Sequence, residues 1–306
     1  MAIYYVPSIN LMGAGCLNDL GETVNDLGFK KAFVVTDNFL MSNGVANKVL
    51  NVLEEYGIGY EVYSEVVPNP TCKNVHDGLN RLKGTDCDFL VSIGGGSPQD
   101  TAKAIGILAT NDGEIKFYEG VNVSKNKSMP IVAVNTTAGT SSEVTINYVV
   151  TDEERHVKMV MVDKNSLATV TVNDPELMVE KPASLTAATG MDALTHVIET
   201  IVTPGAYPVS DATALAAVKI IFDYLPRTVE NGHDIEAREQ MVYAVFLGGI
   251  AFSNVGLGNV HAMAHQLGGI YNLPHGVCNA MLLPYVEEEN AKYVPERFVS
   301  IANVLG

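Results

Sequence analysis

The pattern of apolar and polar positions changes character near residue 180. Before that point, short β-branched runs alternate with segments whose apolar residues recur every three to four positions. Ile3 to Val6 reads as extended, Leu17 to Leu27 as helix and Ala32 to Thr36 as a buried strand. Val45 to Tyr56 reads as helix, Tyr60 to Tyr63 as strand, Asn74 to Leu82 as helix and Phe89 to Ile93 as strand. Continuous apolar runs separated by helices predict a parallel sheet covered on both faces. Tyr148 to Thr151 and Val157 to Val162, joined through Asp-Glu-Glu-Arg, predict a hairpin. Beyond Lys181 the stretches Ala183 to Thr203, Ser210 to Leu225, Ile235 to Asn254, Asn259 to Tyr271 and Pro295 to Leu305 all show helical periodicity, with no strand pattern between them. The expectation is an α/β domain with a parallel sheet over residues 1–180 and an all-α domain over residues 181–306.

Composition narrows the partners. The chain has 306 residues, 47% hydrophobic and only 18% charged, enough for a substantial core in each domain. A net charge of −16 argues against nucleic acid and against an anionic membrane surface, since both would repel it. Cys16, Cys72, Cys87 and Cys278 form no C-x-x-C pair and read as reduced thiols. The amino terminus, M-A-I-Y-Y-V-P, has neither a basic nor an apolar export region. No apolar run reaches the roughly 20 residues a bilayer demands. The expected setting is the cytoplasm, without membrane or nucleic-acid partners.

Candidate chemistry in the first domain centres on Gly94-Gly95-Gly96-Ser97-Pro98-Gln99-Asp100, directly after the strand F-L-V-S-I. Glycines there let backbone amides approach a bound group, Ser97 is placed to cap the following helix, and Pro98 suits its first position. A helix N-terminus behind such a turn is an anion site suited to a dinucleotide pyrophosphate, although the turn is not G-x-G-x-x-G. Asp37, at the end of A-F-V-V-T, can accept from an adenine-side ribose and would repel a 2′-phosphate, favouring NAD; taken in isolation it reads better as an ordinary turn or helix-cap aspartate. The strand I-V-A-V-N runs into T-T-A-G-T-S-S-E-V-T, a cluster of hydroxyls around Gly139 that can donate to a pyrophosphate or ribose without adding charge. Lys158, among apolar neighbours, either snorkels to water or meets a ribose or phosphate.

The second domain carries G-M-D-A-L-T-H, G-N-V-H-A-M-A-H and L-P-H-G. Asp192 and His196 stand one helical turn apart, and His261 and His265 repeat that spacing. His275 follows after the Gly268-Gly269 break and beside Pro274. A lone D-x-x-x-H is usually an exposed pair; several such motifs in a charge-poor region are not. One carboxylate and three imidazoles, most simply Asp192, His196, His261 and His275, make a nitrogen and oxygen site suited to Fe(II), Zn(II) or a similar ion, unlike the oxygen cage of calcium or magnesium. With the glycine turn in one domain and the metal set in the other, a cleft between domains is the expected meeting place.

Taken together, G-G-G-S-P-Q-D-T-A-K, N-T-T-A-G-T-S-S-E-V-T, G-M-D-A-L-T-H, G-N-V-H-A-M-A-H-Q-L-G-G and L-P-H-G-V resemble the iron-containing (group III) alcohol dehydrogenases, in the branch of lactaldehyde reductase, 1,3-propanediol dehydrogenase and methanol dehydrogenase. The resemblance implies a dehydroquinate synthase-like fold, in which a dinucleotide-binding domain precedes a helical metal-binding one. It implies metal ligation by Asp192, His196, His261 and His275, and a proton-relay or positioning role for His265. Asp37, Asn69, Gly95, Gly96, Ser97, Thr136, Thr137, Thr145 and Lys158 match cofactor-contacting positions, and Asn147 and Phe252 match positions lining the substrate pocket. The implied reaction is hydride exchange between NAD and a small primary alcohol or diol, with Fe(II) as the metal, Zn(II) as the alternative and a homo-oligomer as the assembly. Such relatives continue through further C-terminal helices, so the helical domain is expected to be short of the last of them. Two rival readings accompany this one. The first is a dehydroquinate-synthase-like lyase using NAD and metal, disfavoured by the neutral, apolar segments beside the metal motifs. The second is a shortened, non-catalytic relative that binds nucleotide or oligomerises.

Overall fold

The structure, a computed structural model, describes residues 3–271 and 273–306. Two compact units emerge: Val6–Thr136 with Ser142–Leu177, and Met178–Gly306 with Met1–Tyr5 and Thr137–Ser141. The hydroxyl-rich loop is thus shared, its Thr137–Ser141 portion clustering with the helices; there Ser141 donates to the Val245 carbonyl at 2.8 Å. The leaderless reading of the amino terminus falls partly on residues 1 and 2, outside the described residues.

The first unit is built on strands β1 (Ile9–Met12), β2 (Lys31–Val35), β3 (Gly59–Tyr63), β4 (Phe89–Gly94), β5 (Gly120–Val121), β6 (Ile131–Asn135), β7 (Asn147–Asp152), β8 (Val157–Val162) and β9 (Val170–Asn173). Six of them form one parallel sheet in the order β1-β9-β6-β4-β2-β3. Its helices are α1 (Leu20–Asp26), α2 (Asn38–Ser42), α3 (Val45–Glu55), α4 (Cys72–Lys83) and α5 (Gly96–Thr110). Alternate strand residues feed separate cores. Ala32, Val34, Phe89 and Val91 pack with the α1 and α3 side, while Phe33, Val35 and Leu90 pack with α4 and α5. Both faces are buried, which is why these strands read as unbroken apolar runs. The predicted hairpin is present as β7 and β8, antiparallel.

Three expectations need correction. Ile3 to Val6 forms no strand; the first strand is Ile9–Met12, paired with β9, whose short V-T-V-N run the periodicity did not mark. Ser97 is not the cap of α5 and Pro98 is not its first residue. The cap position falls on Gly95, without a side-chain hydrogen bond, and the helix starts at Gly96. The strand passes into the helix with almost no intervening loop. Gly94 makes that turn at φ +152°, where an added Cβ would lie 2.4 Å from Pro98 Cγ.

The second unit consists of α6 (Ala183–Val202), α7 (Pro208–Glu230), α8 (Ile235–Val255), α9 (Asn259–Tyr271), α10 (His275–Asn290) and α11 (Pro295–Leu305) around a core that includes Val197, Ile201, Val218, Met241 and Val245. Gly268-Gly269 does not break the chain, because α9 runs through it to Tyr271. Helix α10, unforeseen from periodicity, contains Pro284. Among the described residues no single helix is long and apolar enough to cross a membrane.

Candidate metal centre and cofactor site

Helix α6 presents Asp192 and His196 on one face, and Glu199 continues that face two turns after Asp192. The chain then turns by 98° between α8 and α9, with Gly256 at φ +86° in the connection. His261 therefore enters in the first turn of α9, with His265 one turn further on. His275 opens α10, whose start lies hard against α6: a Cβ on Gly276 would sit 2.1 Å from the Ala188 carbonyl.

These elements bring one donor atom each from Asp192, His261 and His275 to within 4.8 Å of one another. His261 Nε2 and His275 Nε2 lie 3.6 and 3.5 Å from Asp192 Oδ1. His196 flanks this trio. Its ring stacks on His261 at 4.4 Å and on Phe252 at 4.3 Å between centroids, and its buried Nδ1 has no hydrogen-bond partner among the described residues. The His265 ring is 5.1 Å from that of His275.

Two residues that sequence reasoning missed complete the arrangement. Glu199, buried, accepts from Val260 N at 2.6 Å and meets His261 Nδ1 at 2.6 Å. A proton on Nδ1 leaves the His261 Nε2 lone pair facing the trio, the tautomer a ligand needs. Room for Glu199 comes from Gly258, where a Cβ would lie 2.8 Å from its Oε1. The signal was in the chain, since 192, 196 and 199 fall on one helical stripe. Asn279, one turn after His275, points its Nδ2 into the trio: 2.6 Å from Asp192 Oδ1, 3.1 Å from His261 Nε2 and 3.2 Å from His275 Nε2. An amide NH2 carries partial positive charge, and here it donates to a carboxylate and lies within hydrogen-bonding distance of two imidazole nitrogens, at the point where a cation would meet the same groups. The donor set thus fits a divalent transition ion.

Electrostatics agree with ligation. Burial works against the charge on Asp192, yet the surrounding imidazoles outweigh it and hold the carboxyl below the usual range. Burial pushes His196 down to about 3, keeping it neutral. Burial also disfavours a charged His261, but its bonds to Asp192 and Glu199 prevail and raise it to about 9, so a metal must displace that proton.

In the sheet unit the glycine turn opens α5, and Gln99 ties the turn down by donating to the carbonyls of Gly94 at 3.3 Å and Val134 at 3.0 Å. Asp37 caps α2, accepting from Leu40 N at 2.8 Å. Lys158 and Asn69, two cofactor candidates 89 residues apart, meet through a 2.8 Å bond from Nζ to Asn69 Oδ1. The buried Thr136 Oγ1 and Asn147 Oδ1 have no hydrogen-bond partner among the described residues. Orphaned polar atoms of this kind fit a ligand that completes them.

Residues 7–175 match the iron-containing alcohol dehydrogenase family, and residues 186–306 match its C-terminal region. The chain belongs to the iron-containing alcohol dehydrogenase family. An NAD-dependent methanol dehydrogenase of Bacillus methanolicus is 48% identical over all of this chain and 80% of its own length. Lactaldehyde reductase of Escherichia coli K12 is 45% identical over 96% of this chain and 77% of its own. A crystal structure of a 1,3-propanediol oxidoreductase, 49% identical, superposes with a TM-score of 0.98 over 100% of this chain and 80% of that one. These are the branches the motifs resemble, and the solved 1,3-propanediol oxidoreductase shares the fold. As an alcohol dehydrogenase the chain is an oxidoreductase; nothing supports the lyase or the non-catalytic reading.

Proposed function

We propose that this iron-containing alcohol dehydrogenase interconverts a small primary alcohol or diol and its aldehyde with NAD, at a divalent ion held by Asp192, His196, His261 and His275. The convergence of donor atoms from Asp192, His261 and His275 on one point, where Asn279 donates to Asp192, carries the reading. A bound Fe(II) would supply Lewis acidity to an alcohol or aldehyde oxygen, and NAD would supply the hydride acceptor. The remaining chemistry falls to the chain. Asp192 brings negative charge that offsets the ion; Glu199 keeps His261 in the ligating tautomer; Phe252, stacked on His196, gives the site an apolar wall that disfavours water. His265 is assigned proton relay or positioning from its place beside His275. Asp37, Asn69, Gly95, Gly96, Ser97, Thr136, Thr137, Thr145 and Lys158 are assigned to the dinucleotide, and Asn147 joins Phe252 at the substrate. Fe(II) is the metal proposed, with Zn(II) its competitor, because histidine and carboxylate accept both. The proposed setting is the cytoplasm, where cysteines that form no disulfide are stable.

NADH consumption by metal-reconstituted protein tests this, with lactaldehyde, propionaldehyde and 3-hydroxypropionaldehyde compared under Fe(II) and Zn(II). The expected result is aldehyde-dependent oxidation of NADH that requires the metal. No oxidation with any aldehyde and either metal would overturn it.

A further inference from the structure

Helix ends fray, because their last carbonyls lack helical partners. The last turn of α8 carries Phe252, whose ring stacks on His196 at 4.3 Å, so a side chain assigned to the substrate stands where the helix is most prone to loosen. The chain holds that turn from two sides. Phe252 follows Gly248 by one turn and shares its face, along which α8 lies so close to α6 that a Cβ on Gly248 would sit 2.6 Å from Val197 Cγ1. Asn254, two residues beyond Phe252, points to roughly the opposite side of the helix. There it grips the amino-terminal arm, which clusters with the helices as far as Tyr5. Tyr5 N donates to Asn254 Oδ1 at 2.6 Å, and Asn254 Nδ2 donates to the Tyr5 carbonyl at 3.0 Å and to the Ile250 carbonyl at 2.8 Å. One side-chain amide thus satisfies both backbone groups of a residue 249 positions away and ties them to the preceding turn of α8. Beside it, Tyr4 sets its ring edge-on to Tyr207 at the start of α7, with 6.3 Å between centroids.

We infer that the amino-terminal arm is part of the substrate pocket: Asn254, by gripping Tyr5, holds Phe252 against His196 and so limits the size of the alcohol or aldehyde admitted. Asn254 is a positioning residue for specificity, and it acts through Phe252. This rests on the reading of Phe252 as a wall of the substrate pocket. Two observations lead from the clasp to the pocket. Gly256, at φ +86°, already ends the helix locally, its N–H closing on the Phe252 carbonyl at 2.8 Å, so the long-range anchor is not needed merely to stop α8. Phe252 is only 4% exposed and its ring lies 11° from parallel to that of His196. A ring so confined excludes volume, and releasing the backbone that carries it opens that volume to a longer chain.

The test uses metal-loaded enzyme. NADH-dependent reduction of hexanal and of propionaldehyde is measured, as kcat and KM, in wild type, Asn254→Ala, Tyr5→Pro, the double variant, Tyr5→Ala and Phe252→Ala, together with metal content and amide hydrogen exchange over residues 250–256. Tyr5→Pro removes the N–H that Asn254 accepts and leaves α8 untouched, so it decides the matter should Asn254→Ala fail to fold. Expected in both is a rise of at least about fivefold in kcat/KM for hexanal relative to propionaldehyde, carried by KM. Exchange over the last turn of α8 is faster and metal content unchanged. The double variant goes no further than Asn254→Ala, because both changes break one clasp. Tyr5→Ala, which keeps the N–H, behaves as wild type, and Phe252→Ala shifts the ratio in the same direction as the clasp variants. A ratio within about twofold of wild type in Tyr5→Pro, an equal shift in Tyr5→Ala, or shifts that add in the double variant overturn the proposal. Loss of metal in the clasp variants overturns it too, since the clasp would then serve the metal and not the pocket. A Phe252→Ala ratio like that of wild type overturns the reading of Phe252 as a pocket wall instead.

Discussion

Replacing Glu199 by glutamine removes one charge and almost no volume, and the geometry says what that should cost. The carboxylate has three hydrogen-bonding contacts: Oε1 accepts from Val260 N at 2.6 Å, and Oε2 meets His261 Nδ1 at 2.6 Å and His261 N at 3.4 Å. A glutamine has one acceptor end. If its oxygen faces Val260 N, its NH2 faces His261 Nδ1, which must then become an acceptor. The proton moves to Nε2, and the nitrogen aimed at Asp192 and His275 loses its lone pair. If the amide turns the other way, the first turn of α9 keeps an unsatisfied N–H. Loss of a partner that orients a metal-bound histidine typically costs 10- to 100-fold in affinity, or ~1.4–2.7 kcal/mol. Chelator competition followed by elemental analysis measures that affinity directly, and a urea-unfolding midpoint on apo protein shows whether the fold survives. Glu199→Gln that keeps its metal within threefold of wild type, at unchanged stability, would refute the claim that Glu199 sets the tautomer of His261.

Other consequences follow from the same geometry. His261→Ala should lose metal and turnover together; full activity in that variant defeats the ligand assignment. Gly276→Ala forces a Cβ to within 2.1 Å of the Ala188 carbonyl, backbone that cannot yield. Overpacking of this kind costs on the order of 1–3 kcal/mol, and because His275 is the adjacent residue, a lower melting temperature should accompany weaker metal retention; an unaffected variant would show that the α6 and α10 contact is looser than described. Glu143 is fully buried, and desolvation raises it to about 7 from 4.5, against the pull of Lys103. A raised carboxyl stabilises the fold fully below its unfolded value and loses that contribution as pH climbs through about 7. The loss is of order 3 kcal/mol between pH 4.5 and pH 8. Urea midpoints at pH 5 and pH 8 should therefore diverge more in wild type than in Glu143→Gln, and a difference between the two proteins that does not vary with pH would show that Glu143 is not the titrating group.

Much of the fold was readable because its signals are local. A strand buried on both faces has to be apolar throughout, so β2 and β4 announced themselves, and the spacing of four in D-x-x-x-H and H-x-x-x-H is set by the helix alone. What escaped was fixed by the third dimension. Ser97 looked like a cap because hydroxyls often are, but β4 leads straight into α5, and the cap position had already passed at Gly95. Gly268-Gly269 looked like a break, yet Gly268 is buried and α9 continues through the pair, so packing overrode propensity. Pro284 and the acidic run after it disguised α10 as non-helical.

The deeper omissions share one cause. Asp192, His196, His261 and His275 could be picked out by residue type, because carboxylates and imidazoles bind metals wherever they converge. Glu199, Asn279 and Lys103 act on other residues, and their roles exist only in partners 62, 87 and 39 to 44 positions away. Side-chain identity alone assigns a glutamate on a helix to solvent and a lysine to the surface. What contradicts that default is burial: Glu199 and Lys103 are each 1% exposed, and a charged side chain so enclosed must be held by specific partners. In both cases those partners are backbone, hydroxyl or imidazole groups of a segment assigned to the site. These two buried charges lie behind groups assigned to the site: Glu199 meets the His261 imidazole, and Lys103 donates to carbonyls of residues 142, 145 and 147. Removal of the Glu199 charge should disturb metal binding before it disturbs the fold.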